Sequence, residues 1–109
     1  MTRSKPPKRY EEVRRRHPRV VGAYEEFGEA LAGAGPLTER ERALVRLGVA
    51  VGAGLDSAIK AHARRGRDAG LSDAALRHAA LLAGTTVGFS SMMKGLALVE
   101  EALEGKRRR

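Results

Sequence analysis

Apolar residues recur along most of the chain at intervals of three and four, and alternating β-branched runs are missing. That period predicts helices joined by short turns. A short first helix is expected from about Lys8 to His17. It ends there because the residue before a proline is disfavoured in helical geometry, while Pro18 suits the first turn of a second helix. The second helix carries Val21, Ala23, Tyr24, Phe27, Ala30 and Leu31, turns Glu25, Glu26 and Glu29 outward, and stops at 32-AGAGP-36.

The sharpest boundary is 38-TERE-41, a capping box with Thr38 as N-cap and Glu41 three residues on to reach back to its amide. The helix that follows, 43-ALVRLGVAVGAG-54, is apolar almost all round except at Arg46, as befits a central helix surrounded by others. Gly48 and Gly52, four apart, would let a neighbouring helix approach closely. A fourth helix is expected from about Asp56 to Ala69, closed by Gly70 at the C′ position. Ser72 or Asp73 caps a fifth, 73-DAALRHAALLAG-84, and a sixth runs from about Val87 to Glu104. The joint at Gly84, Thr85 and Thr86 is short enough for these last two to form one bent rod. The fold class is all-α, with about six helices.

Leu55, Ala58, Ile59, His62 and Gly66 share one stripe of the fourth helix, so His62 is expected to point inward. On the fifth, His78 lies with Ala74, Ala75, Leu81 and Leu82, which predicts partial burial. Helix arithmetic does not bring the two rings together. Phe89, Met92 and Met93 are expected in the core rather than in a ligand box.

Composition narrows the chemistry. The 109 residues fit one domain. They divide into a basic segment 1–19 with a short helix, a helical domain 20–105, and a basic tail 106–109. The formal charge of +8 belongs to the two ends: residues 20–105 hold nine Lys/Arg against eleven acidic groups. Basic ends attract polyanions without sequence selectivity, and no aromatic residues are interleaved to stack on bases, so nucleic acid is expected only nonspecifically. There is no cysteine, which excludes disulfides, thiolate metal sites and every cysteine nucleophile. The longest uncharged run, 79-AALLAGTTVGFSSMM-93, is shorter than the ~20 residues a membrane span needs, and the basic start lacks the apolar run of a secretory signal. A cytoplasmic protein without a membrane partner is the simplest expectation.

Three familiar site patterns fail. Glycines in 48-GVAVGAGLDS-57 follow no strand and lack the third glycine of a dinucleotide loop. His17, His62 and His78 lack the i, i+4 pairing that holds zinc on one helix, and no G-x-S-x-G occurs. What remains is 58-AIKAHARRG-66. A desolvated imidazole at His62 with Lys60, Arg64 and Arg65 nearby would stay neutral and accept a proton near pH 7, while the cations attract an anionic substrate. The competing reading is a histidine that merely packs, which is the commoner fate of a lone His on an apolar face.

The order of segments resembles the carboxymuconolactone decarboxylase and alkylhydroperoxidase D-like family. The likeness is carried by 37-LTERERALVRLGVAV-51, by His62 at the end of LDSAIKAH, and by 64-RRGRDAGLSDAALRHAALL-82, with 17-HPRVVGAYEEF-27 resembling the lead-in helix of a cysteine-free branch. It implies an alkylhydroperoxidase D-like helical bundle assembled as a homotrimer or homohexamer. The peroxidase branch has a Glu, two Cys and a His in fixed spacing. Laid on His62, that spacing puts Ala43 at the glutamate, Leu55 and Ala58 at the cysteines, and Ser57 at the histidine between them. Thiol peroxidase chemistry, which needs an attacking and a resolving thiol, is therefore excluded. The lactone decarboxylases also lack the cysteines, and the resemblance implies acid-base chemistry without metal or organic cofactor.

Two expectations stand together. One is a cofactor-free acid-base decarboxylase or isomerase of a small carboxylate or lactone, with His62 as acid or base and His78 as a second proton carrier or orienting group. Arg42, Lys60 and Arg65 are then candidate anion partners, chosen from charge and spacing. The other is a non-catalytic oligomeric scaffold or small-ligand-binding protein of the same fold.

Overall fold

The computed structural model describes residues 6–107. Six longer helices and one single-turn helix follow in order: α1 Lys8–Arg16, α2 Pro18–Ala32, α3 Glu39–Ala53, α4 Asp56–Asp68, α5 Asp73–Leu81, α6 Gly84–Val87 and α7 Phe89–Arg107. No strand occurs among the described residues, and no helix there is long and apolar enough to cross a membrane. The fold is all-α. The basic tail expected at 106–109 begins inside α7, and Arg108 and Arg109 lie outside the described residues, as do positions 1–5 of the basic N-terminal segment.

The boundaries sit where local chemistry requires them. Thr38 Oγ1 accepts from the Glu41 amide at 3.2 Å, and the Thr38 amide donates to Glu41 Oε1 at 2.8 Å, so the capping box is complete. The Ser72 hydroxyl accepts from the Ala75 amide at 3.1 Å to start α5. Gly70 takes φ +99°, which lets the Leu71 amide reach back to the Gly66 carbonyl at 3.0 Å and close α4. Gly54, at φ +69°, closes α3 in the same way, with the Leu55 amide on the Ala50 carbonyl.

The core joins four helices: Leu47, Ala50 and Val51 from α3, Ile59 and Ala63 from α4, Leu76 and Ala80 from α5, and Val99, Ala102 and Leu103 from α7. Close approach is set by two glycines other than the expected pair. A β-carbon on Gly66 would stand 2.6 Å from Leu76 Cδ2, and one on Gly95 would stand 2.6 Å from Val51 Cγ1. Gly48 has nothing within 4 Å of that position, and Gly52 has only Val87 Cγ1 at 4.0 Å. These two open a groove instead of seating a helix of the same chain.

Several expected inward faces look outward. The α3 helix packs on α4, α5 and α7 along one side only, which leaves Val45 and Val49 exposed. On α5 the buried stripe is Leu76 and Ala80, so His78 is exposed together with Ala74, Leu81 and Leu82. An alanine-rich helix offers two apolar stripes, and the one through Leu76 and Ala80, which carries no polar side chain, faces the core while the one bearing His78 faces out. The joint after α5 is a separate turn, α6, followed by Gly88 at φ +97°, which redirects the chain. Phe89, at 70 % exposure, and Met93 therefore sit on the surface, and Met92 is half-buried.

The first two helices form an arm. Tyr10 donates from its hydroxyl to Glu25 at 2.8 Å and Arg14 donates to the same carboxylate oxygen at 2.7 Å, clasping α1 to α2. Of the six apolar residues expected to be covered on α2, only Val21 is buried; Ala23, Tyr24, Phe27, Ala30 and Leu31 remain exposed. The reason is connectivity: α2 packs on α1, and no comparable packing joins either helix to the bundle.

Candidate functional site

The middle of α4 places His62 one turn from Ile59 and next to Ala63, both fully buried. The ring itself is half-buried. Its pKa is pushed below the ordinary imidazole value of 6.5, first by desolvation, then by the neighbouring positive charges of Arg65 and Arg46. A neutral imidazole flanked by cations results. Arg65 follows on the same helix, whereas Arg46 comes across from α3, where it interrupts an otherwise apolar run. Sequence reasoning passed over Arg46 as a partner of His62. The available signal was that single charge on the helix that packs against α4.

The other candidate cations are engaged elsewhere. Arg42 donates from Nη1 to the Leu37 carbonyl at 2.6 Å, bracing the turn into α3. Lys60 pairs with Glu101 of α7, Nζ to Oε1 at 3.5 Å. Arg65 is exposed beside His62. Of the three proposed anion partners, it is the one whose charge is felt at the histidine.

His78 lies in a different place. Together with Thr86 it supplies the polar side chains of an otherwise apolar cleft of about 460 Å³ between α3 and α5–α6. Leu44, Val45, Gly48 and Gly52 form one wall, and Leu82 and Val87 stand on the other. His62 is not in this cleft. The structure thus does not bring the two histidines together in this cleft. The cleft was missed from the sequence because Gly48 and Gly52 were read as a helix contact rather than as open floor.

The positions matching the peroxidase glutamate and cysteines carry apolar side chains. Leu55 is exposed at the start of α4, Ala58 is half-buried, and Ala43 is half-buried on α3. Lys94 of α7 ties the turn between α3 and α4, with Nζ 2.8 Å from Asp56 Oδ1 and 3.3 Å from the Gly54 carbonyl. Among the described residues, no three His, Asp or Glu side chains gather as metal ligands do.

The sequence profile of the carboxymuconolactone decarboxylase family matches residues 18–101. The chain belongs to this family. The match begins at the first residue of α2 and ends within α7, so it takes in His62, His78 and both walls of the cleft. No match was found among curated proteins or among solved structures. Family membership agrees with the all-helical bundle and with the absence of cysteine, which separates this chain from the thiol-bearing branch.

Proposed function

We propose that this carboxymuconolactone decarboxylase-like protein performs cofactor-free proton transfer on a small carboxylate or lactone, with His62 as the base. The observation that carries this reading is the half-buried imidazole of His62, on which the positive charges of Arg65 and Arg46 act. Desolvation and like charge both hold the ring neutral, so it can accept a proton at neutral pH. The same two guanidinium groups attract an anionic substrate and stabilise negative charge as it develops. A neutral ring is better suited to removing a proton from carbon than to donating one. Isomerisation, or decarboxylation that begins with such a removal, therefore suits the site better than direct protonation by His62. Arg42 and Lys60 fall outside this role because each serves a structural partner.

A second reading has its own support. Ala43, Leu55 and Ala58 put no acidic or nucleophilic side chain at the positions matching the motif's glutamate and cysteines, and His78 lines a cleft that His62 does not. A protein that binds a ligand or assembles without turnover fits those features.

The deciding experiment uses 4-carboxymuconolactone in deuterated buffer, following carbon dioxide release and deuterium uptake at carbon, with His62→Ala alongside. General-base catalysis predicts a loss of about 10²-fold or more in the variant, with the helical spectrum retained. Equal rates in both proteins would remove His62 from the chemistry. No release and no exchange in either would remove this lactone as the substrate and count toward the non-catalytic reading.

A further inference from the structure

The cleft between α3 and α5–α6 is open because the side chains at its base are small. Gly48 and Gly52 stand one helical turn apart on α3, and Ala75, Ala79 and Ala83 recur every four residues on the opposite side. A β-carbon on Gly48 would meet nothing within 4 Å, and one on Gly52 would meet only Val87 Cγ1 at 4.0 Å. The resulting space of about 460 Å³ falls within the ~300–1,000 Å³ typical of small-molecule sites.

Its polarity is one-sided. His78 of α5 and Thr86 of α6 both belong to one wall, whereas the α3 wall offers only apolar side chains and the two glycines. No Lys, Arg, Asp or Glu is among the described residues that line it. A carboxylate or an ammonium group would give up its water there without gaining a counter-charge, so the lining matches an uncharged molecule. This is the reverse of His62, on which Arg65 and Arg46 act. Histidine donates through a ring nitrogen in either tautomer, and a threonine hydroxyl donates or accepts, so one hydroxyl group, which does both, is satisfied by the pair. The glycines leave a strip ~6 Å long on α3 with no side chain between a flat ring and the helix backbone.

We infer that this cleft binds an uncharged, flat ring compound bearing one hydroxyl group, such as a phenol. The ring lies on the strip at Gly48 and Gly52, and the hydroxyl turns to His78 and Thr86 on the opposite wall. The site takes a ligand of different charge class from the anion drawn to His62. It gives His78 a recognition role that stands whether or not His62 transfers a proton.

The probe is 2-naphthol, whose fluorescence is excited beyond tyrosine absorption and is read cleanly because the chain has no tryptophan. Titration should show one saturable site per chain. In competition, naphthalene, which lacks the hydroxyl, should bind about tenfold more weakly, and 2-naphthoate should also fall below 2-naphthol. Gly48→Leu places its side chain in the cleft from a position with room for it, so binding should vanish while the melting temperature holds. Gly52→Leu blocks the other end of the strip and serves if the first variant folds poorly. Replacing the exposed pair, His78→Leu with Thr86→Val, should lower 2-naphthol to the affinity of naphthalene and leave naphthalene unchanged. His62→Ala should bind as the unaltered protein does, which keeps this site distinct from the proton-transfer reading. The inference is overturned by unchanged binding in both glycine variants, by 2-naphthol binding no tighter than naphthalene or 2-naphthoate, or by loss of binding in His62→Ala. It is equally overturned by absence of saturable binding, which in a protein that sediments as a multiple of the chain mass would give the cleft to a second copy.

Discussion

Gly66 of α4 and Leu76 of α5 touch so closely that a β-carbon on the glycine would stand 2.6 Å from Leu76 Cδ2, with Leu71 Cδ1 at 3.3 Å on its other side. Leu76 is wholly buried and cannot swing away. Gly66→Ala gains up to about 1 kcal/mol of helix propensity, but overpacking of a closed core costs about 1–3 kcal/mol. We expect net destabilisation, seen as a lower urea midpoint. Gly95→Ala, which meets Val51 Cγ1 at the same 2.6 Å, should behave alike. An unchanged or raised midpoint in both variants would mean that the helices separate easily.

The environment of His62 makes stability depend on pH with a definite sign. Its folded pKa lies below 6.5, so in the window below that value the unfolded chain binds the proton more readily than the folded one. The stability contribution is present above the unfolded pKa and is lost as pH falls through the folded pKa. Denaturation midpoints at about pH 7.5 and about pH 5.5 should drop less in His62→Gln than in the unaltered protein. An equal drop would place the ring in ordinary solvent.

Arg67 and Asp73 bridge the turn between α4 and α5 through a two-pronged pair. Arg67 Nη2 lies 2.8 Å from each carboxylate oxygen, and Nε lies 3.1 Å from Oδ1. Both side chains are partly buried, and Asp73 also stands in the first turn of α5, where a negative charge complements the helix dipole. Arg67→Ala should cost about 1 kcal/mol, with the loss shrinking at high salt. A salt-independent loss would point to the packing of the arginine stem rather than to its charge.

How much of this was legible in the residues depends on how local the signal was. Thr38, Ser72, Pro18 and Gly70 act on their own backbone neighbours, and each marks a helix end as its chemistry predicts. Faces were harder. On α5, periodicity supports a stripe through His78 as well as one through Leu76, and only the positions of α3 and α7 decide between them. On α2, the apolar stripe was legible, but what it meets within the chain was not. Gly48 and Gly66 show the same limit: both are helical glycines, yet one is open and the other closely packed, because tertiary geometry sets the distance to the next helix. For the candidate site, His62 and Arg65 were found from spacing on one helix. Arg46 required knowing that α3 runs alongside.

The division between arm and bundle carries a consequence for how changes in this protein are felt. The cohesive cluster begins at Leu47, and nothing from α1 or α2 belongs to it. Folding free energy in a single chain is thus concentrated after Thr38, and the arm is free to vary without threatening the rest. Substitutions in α1 and α2 should leave native-state hydrogen exchange in α3, α4, α5 and α7 unaltered, while amides of the arm exchange through their own, smaller opening reaction. Such a chain keeps the residues that hold its core apart in sequence from those of its arm.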